Sequence, residues 1–259
     1  MSNKPQFYNK SDHGGYAPMP ELSPYSKISA DRIKTPKFIY RKSYEFILGA
    51  RKKPVISNWL DVGCANGEFL YFLSSENPNI EFLGVDITPE FIAVAEELNV
   101  NQENVEFQIQ DIFDTPPEVQ YDVVSCLGTF QIFPNPERLL NTLVDRVAPN
   151  GQLVISARFN PHDVSAVITY KDDSTEAGRN IWRCDFNIHS EYWISEMLSK
   201  RSDIKNFYFQ YPIMDTEIPK KDNAPHINMW TIDRPDQGFD ITNGMKANFN
   251  PSFLVIEKF

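Results

Sequence analysis

Apolar and polar positions along this chain follow two rhythms. Between Asn58 and Ser156, short apolar runs alternate with amphipathic stretches, the pattern of a parallel sheet covered by helices. The runs predict strands over 57–61, 81–86, 105–110, 121–127 and 152–157. After the second run, Thr88 stands as a helix cap with Pro89 at the first helical position. Asn135 and Pro136 repeat that device before "ERLLNTLVDRV", where Leu139, Leu140, Leu143, Val144 and Val147 form one apolar stripe, and "APNG" then turns the chain into "QLVIS". Upstream, "TPKFIYRKSYEFILGA" puts Ile39, Ser43, Phe46, Ile47 and Ala50 on one helical face. Downstream, Ser190 caps a helix bearing Trp193, Ile194, Met197 and Leu198. Two late strands follow, over 206–213 and 252–259. They flank an insertion over about 214–250, inside which "HINMWTIDRPDQGFDITNG" reads as a hairpin turning at "RPDQG". Residues 1–35 show neither rhythm, yet carry Phe7, Tyr8, Tyr16 and Tyr25. They read either as a solvated extension or as a lid over a single domain formed by 36–259.

Charge and cysteine usage narrow the classes. A formal charge of −10 opposes a phosphate backbone, so nucleic acid is not an expected partner. The basic cluster Arg51, Lys52 and Lys53 reads as a solvated helix end. No apolar stretch nears the roughly 20 residues that span a bilayer, and "MSNKPQFYNK" does not resemble a signal sequence, so no membrane partner is expected and a cytoplasmic protein is the default. Cys64, Cys126 and Cys184 show neither C-x-x-C nor zinc spacing, so no disulfide frame or metal is expected.

Three acids carry the chemistry. Asp61 ends "NWLD", Asp86 ends "EFLGVD" and Asp111 ends "VEFQIQD", each 25 residues after the last. That interval holds one helix and the next parallel strand, so the three carboxylates line one edge of the sheet, where open α/β sheets bind ligands. In "DVGCANG" the glycines Gly63 and Gly67 let main chain approach a ligand, and helix amides after Gly67 suit an anionic group. Asp86, at the end of the second strand, is placed to accept from a ribose diol. Asp111 can accept from an exocyclic amine, and Ile87 and Ile112 can sandwich a flat base. These demands describe an adenosine-bearing ligand. The spacing is not the dinucleotide fingerprint, because Ala65 stands where its middle glycine would be.

The ordered set "LDVGCANG", "LGVDITPEFIAVAEE", "QDIFD", "YDVVSCLGTFQIF" and "LLNTLVDRVAPNGQLVIS" resembles the class I S-adenosylmethionine-dependent methyltransferases over about residues 57–157. The resemblance implies a Rossmann-like α/β fold: a seven-stranded, mostly parallel sheet with helices on both faces and its last strand antiparallel. It implies S-adenosylmethionine as cofactor. Asp61, Gly63, Cys64, Ala65, Asn66 and Gly67 would face its methionine part, Asp86 with Ile87 its ribose and base, and Asp111 with Ile112 its adenine. Leu127, Gly128 and Phe130 would line it near the transferred methyl. Cys64 on its own residue type reads as a small apolar filler.

Methyl transfer from a sulfonium mainly requires alignment, and an oxygen nucleophile also gains from a general base. The four histidines are His13, His162, His189 and His226; of these His162 and His189, with Asp163, are the candidate bases. The amino-methylating tetrapeptide [N/D]-P-P-[Y/F] is replaced after the fourth strand by "LGTF". The segment 158–189 and the insertion loosely resemble methyltransferases of bacterial polysaccharide and glycan gene clusters. Together these imply a small hydroxylated acceptor, such as a sugar. Two other readings stand beside this one: a nicotinamide-dependent oxidoreductase, and a non-catalytic scaffold that retains the cofactor site.

Overall fold

Strand-forming apolar runs with buried residues on both faces need cover on both faces, and the molecule supplies it. The computed structural model describes residues 25–28, 33–48, 56–114, 119–171, 182–184, 186–220, 229–234, 238–243 and 252–259. A seven-stranded sheet is built from β1 (Asn58–Val62), β2 (Glu81–Asp86), β3 (Val105–Ile109), β4 (Tyr121–Leu127), β5 (Val147–Ala157), β6 (Ile204–Gln210) and β7 (Ser252–Lys258). Its order is β6-β7-β5-β4-β1-β2-β3. All neighbours pair in parallel except β7, which runs antiparallel to both β5 and β6. The fold is thus the Rossmann-like, seven-stranded arrangement with an antiparallel last strand.

Successive residues of each strand feed opposite cores. Trp59, Phe82, Val123, Val154 and Phe253 meet one set of helices: α1 (Phe38–Leu48), α2 (Glu68–Glu76) and α3 (Pro89–Leu98). Leu60, Val85, Val124, Leu153 and Leu254 meet the other: α4 (Glu137–Asp145) and α5 (Glu191–Ser199). On α4 the predicted stripe is buried at Leu139, Leu140, Leu143 and Val144, with Val147 buried just beyond it. On α1 the buried positions are Phe38, Ser43 and Ile47, with Ile39 and Phe46 partly covered.

Local details depart from expectation at three points. "APNG" does not precede β5 but lies within it: the β4 register steps from Tyr121↔Val147 to Val123↔Gln152, and Asn150 takes φ 62 in the resulting bulge. Thr88 occupies the cap position of α3 without a capping side-chain bond; the Asp86 carboxylate accepts from the Thr88 amide instead, at 2.9 Å. Asp111 lies two residues past the end of β3. Ser190 does cap α5, accepting from the Trp193 amide at 3.2 Å, and the Asn135 side chain accepts from the first amide of α4 at 3.1 Å. The expected hairpin pairs Met229–Arg234 with Gly238–Asn243. Residues 1–24, Ala50, the cluster Arg51–Lys53 and His226 lie outside the described residues. No helix among the described residues is long and apolar enough to cross a membrane.

Candidate functional site

The chain builds outward from β1 to β2 to β3, then returns to lay β4 on the other side of β1. Strand order therefore reverses between β1 and β4, and loops leaving the carboxyl ends diverge there to leave a crevice. The turn after β1 opens it. Gly63, Ala65 and Gly67 take φ values of 74, 48 and 70. A Cβ on Gly63 would stand 2.0 Å from Thr129 Oγ1, so this position excludes any side chain twice over, by conformation and by space. Ala65 holds the same left-handed region with a methyl, a conformation costing roughly 1–2 kcal/mol for a non-glycine residue. Its amide donates to Asp86 Oδ2 at 3.0 Å, which pins the turn to the end of β2.

Asp61 is buried, 3% exposed, and its Oδ1 accepts from the Ser125 hydroxyl at 2.6 Å. Ser125 in turn accepts from the Trp59 indole N–H at 2.9 Å, which leaves its own proton for Asp61. Burial pushes the Asp61 carboxyl up to about 7; the Ser125 bond opposes this and the charge of Asp86 adds to it. Burial also raises Asp86, but the Thr88 and Ala65 amides hold it partly in its ionised form. Cys64 and Cys126 are buried free thiols raised by burial and by the nearby acids, in keeping with a filler role for Cys64.

Two features fit an extended ligand here. At Gly128, φ 86, the direction a Cβ would take meets no atom within 4 Å, so the carboxyl end of β4 faces open space. Asn66, 1% exposed, has its side-chain Oδ1 without a hydrogen-bond partner among the described residues. Ile87 is 37% exposed and offers an apolar face beside Asp86, whereas Ile112 is packed into the core with Val85 and Phe133. Asp111 Oδ1 accepts from the Phe113 amide at 3.0 Å. Leu127 ends β4 half-buried, and Phe130 is fully buried in the 3-10 turn Phe130–Ile132.

The candidate bases part company. His162 and Asp163 sit in an exposed turn after β5, where Asn160 accepts from the His162 amide at 3.2 Å. His189 is buried, 1% exposed, with its ring edge-on to Phe130 and Trp193 at 5.5 and 5.8 Å and, among the described residues, no hydrogen bond to either ring nitrogen. Burial drives its imidazole down to about 4, so it is neutral at ordinary pH; facing backbone of Phe133 and Phe130 counters this only in part. His13 lies outside the described residues, as His226 does.

Two parts of this region have no sequence signature. Asn187, fully buried, donates to the carbonyls of Gln131 and Ile132 at 2.9 and 3.2 Å and accepts from the Ile168 amide at 2.9 Å, tying the segment before α5 to the turn after β4. Glu68, the first residue of α2, is buried beside Lys37, Nζ to Oε2 3.0 Å, and accepts from Asn66 at 3.1 Å. Lys37 also donates to Tyr25 and Tyr40, at 3.4 and 3.1 Å, and Tyr25 packs edge-on against Phe91 of α3. Tyr25 thereby connects the starts of α2 and α3 across the crevice edge. An acid in the first turn of a helix reads in sequence as a dipole-favoured surface residue, and nothing in spacing links it to a lysine 31 positions earlier.

Residues 60–153 match the family described as "Methyltransferase domain". Among curated relatives, a malonyl-[acyl-carrier protein] O-methyltransferase of Ilyobacter polytropus is 30% identical over 44% of this chain and 42% of its own length. A ubiquinone biosynthesis O-methyltransferase of Coxiella burnetii is 29% identical over 38% of this chain and 42% of its own. The chain spans less than half the length of either relative. A solved DhpI–SAH complex covers 92% of this chain and 95% of its own at TM-score 0.53 and 16% identity, a likeness of fold.

Proposed function

We propose, for a chain with a methyltransferase domain over residues 60–153 inside the seven-stranded class I fold, that the protein transfers a methyl group from S-adenosylmethionine to a small hydroxylated acceptor. The observation that carries this reading is the β1/β4 strand-order reversal, edged by a left-handed glycine turn, the buried carboxylate of Asp61 and the half-buried one of Asp86. The solved neighbour holding SAH, the demethylated product, supports the cofactor, and the relatives named as O-methyltransferases support an oxygen acceptor. A sugar or glycan precursor is the specific acceptor we favour, from the loose likeness of segments 158–189 and 214–250 to glycan-cluster enzymes.

When bound, the cofactor supplies an electrophilic methyl on a positively charged sulfur. The residues supply position. Asp61 and the amides around Gly67 would hold the amino-acid end, Asp86 the ribose hydroxyls, and Asp111 with Ile87 the adenine, while Ile112, packed into the core, backs that site from within. Leu127 and Gly128, at the open carboxyl end of β4, would flank the sulfur; Phe130, expected there from the sequence, is fully buried against Phe159 and His189 and offers it no face. Holding acceptor and methyl in line is worth on the order of 7–11 kcal/mol, so alignment outweighs every other contribution. His162 and Asp163, in an exposed turn after β5, are the residues we favour to take a proton from the acceptor; His189 stays neutral and would shape the wall behind Phe130.

Equilibrium titration with S-adenosylhomocysteine and with NADH tests the reading: binding of the former alone supports it, and binding of NADH alone would replace it with an oxidoreductase. Binding without any methyl mass gain across a panel of hydroxylated acceptors would point instead to a scaffold. Asp86→Ala is expected to weaken S-adenosylhomocysteine binding by roughly 1.5–3 kcal/mol, the worth of charge-assisted hydrogen bonds, as read by calorimetry.

A further inference from the structure

We propose that Asp61 releases a proton as the cofactor's ammonium group arrives, so that the site exchanges a proton for the amino-acid end of its ligand. This rests on the cofactor reading above and adds to it a charge exchange that selects for the ammonium.

The argument is one of compensation. A buried carboxylate keeps its charge only if donors or a cation replace lost water. Asp86 has two main-chain donors, from Ala65 and Thr88. Glu68 has Lys37 and Asn66. Asp61, more buried than Asp86, has the single Ser125 hydroxyl and, among the described residues, no cation. Every other titratable group facing it works in the same direction: Asp86 at the end of β2, Cys64 in the glycine turn and Cys126 on β4 bring negative charge or none. The ligand-free site therefore favours a protonated Asp61, whose carboxyl sits at about 7. A ligand ammonium placed beside it reverses the balance, because an opposite charge in a dry site favours the ionised acid. The proton then leaves to solvent, and the ligand's ammonium takes the place of that positive charge beside Asp61.

The consequence is a slope. Below about pH 7, each unit of acid should weaken binding nearly tenfold, and above it the dependence should vanish. Full-length protein is titrated with S-adenosylhomocysteine at pH 6 in two buffers of different ionisation enthalpy, and the dissociation constant is followed from pH 5.5 to 8. The wild type should release close to one proton per ligand. 5′-Methylthioadenosine, which lacks the amino-acid end, should release none. Asp61→Asn, nearly isosteric, should bind S-adenosylhomocysteine with no release and a flat profile. Absence of release from the wild type, or equal release with methylthioadenosine, overturns the inference even if Asp61→Asn fails to fold; equal release from a folded Asp61→Asn does so too. Failure of folded wild type to bind S-adenosylhomocysteine at any pH would instead overturn the cofactor reading.

Discussion

Gly63 shows how much a single residue can fix. Its φ of 74 already disfavours a side chain, and the space a methyl would fill is held by Thr129, itself in the turn after β4. Gly63→Ala is expected to cost more than about 2 kcal/mol of stability and to abolish ligand binding, because relief requires pushing apart the two loops that make the crevice. Chemical denaturation and ligand titration of the variant check both. His189 governs a different property. Its folded value near 4 lies below the unfolded 6.5, so between these the unfolded chain binds the extra proton. Stability that depends on neutral His189 is complete above about pH 6.5 and is lost as pH falls toward 4, by up to about 3 kcal/mol. Denaturant midpoints at pH 7 and 4.5 should therefore diverge more in the wild type than in His189→Phe, which keeps a ring against Phe130 and Trp193.

At the scale of elements, α1 is anchored by a charge that the crevice wall needs. Lys37, just before α1, meets the buried Glu68 that begins α2. Lys37→Met is expected to destabilise by on the order of 3 kcal/mol, since it removes a cation 3.0 Å from a buried carboxylate, and Lys37→Met with Glu68→Gln should recover most of that loss in a denaturation series. The pair also marks where sequence reading stops. Strands β1, β2 and β4 are legible because parallel strands covered on both faces are near-continuous apolar runs, and the edge strand β3 because Val105, Phe107 and Ile109 alternate with polar residues; Asp61 and Asp86 stand out at or next to the ends of such runs. Lys37 with Glu68, and Asn187 with Gln131, are not: ordinary polar residues acquire those roles only when distant segments meet. Ser125 is a third case. A serine inside an apolar strand gives no hint that its proton belongs to Asp61. Thr88 shows the reverse, a correct cap position whose work is done by Asp86.

At the scale of the molecule, the sheet depends on a strand that joins it late. β7 enters between β5 and β6, with Phe253, Leu254, Val255 and Ile256 almost wholly covered. Each such side chain contributes about 1.5–3 kcal/mol by burial, and their sum is comparable to the whole stability of a domain. A chain stopped at Pro251 is expected to lack cooperative thermal unfolding and near-ultraviolet dichroism rather than to lose one edge of the fold. The pairing of Ser252 with Ala157 spans 95 residues, and β6 joins the sheet through β7 alone, so this half of the sheet closes when β7 is seated. Until then β5 and β6 each expose an unpaired edge. The half of the sheet away from the glycine turn is therefore the one open to foreign strands during synthesis, and intermolecular pairing along that seam is the failure that a slow or crowded folding reaction would produce first.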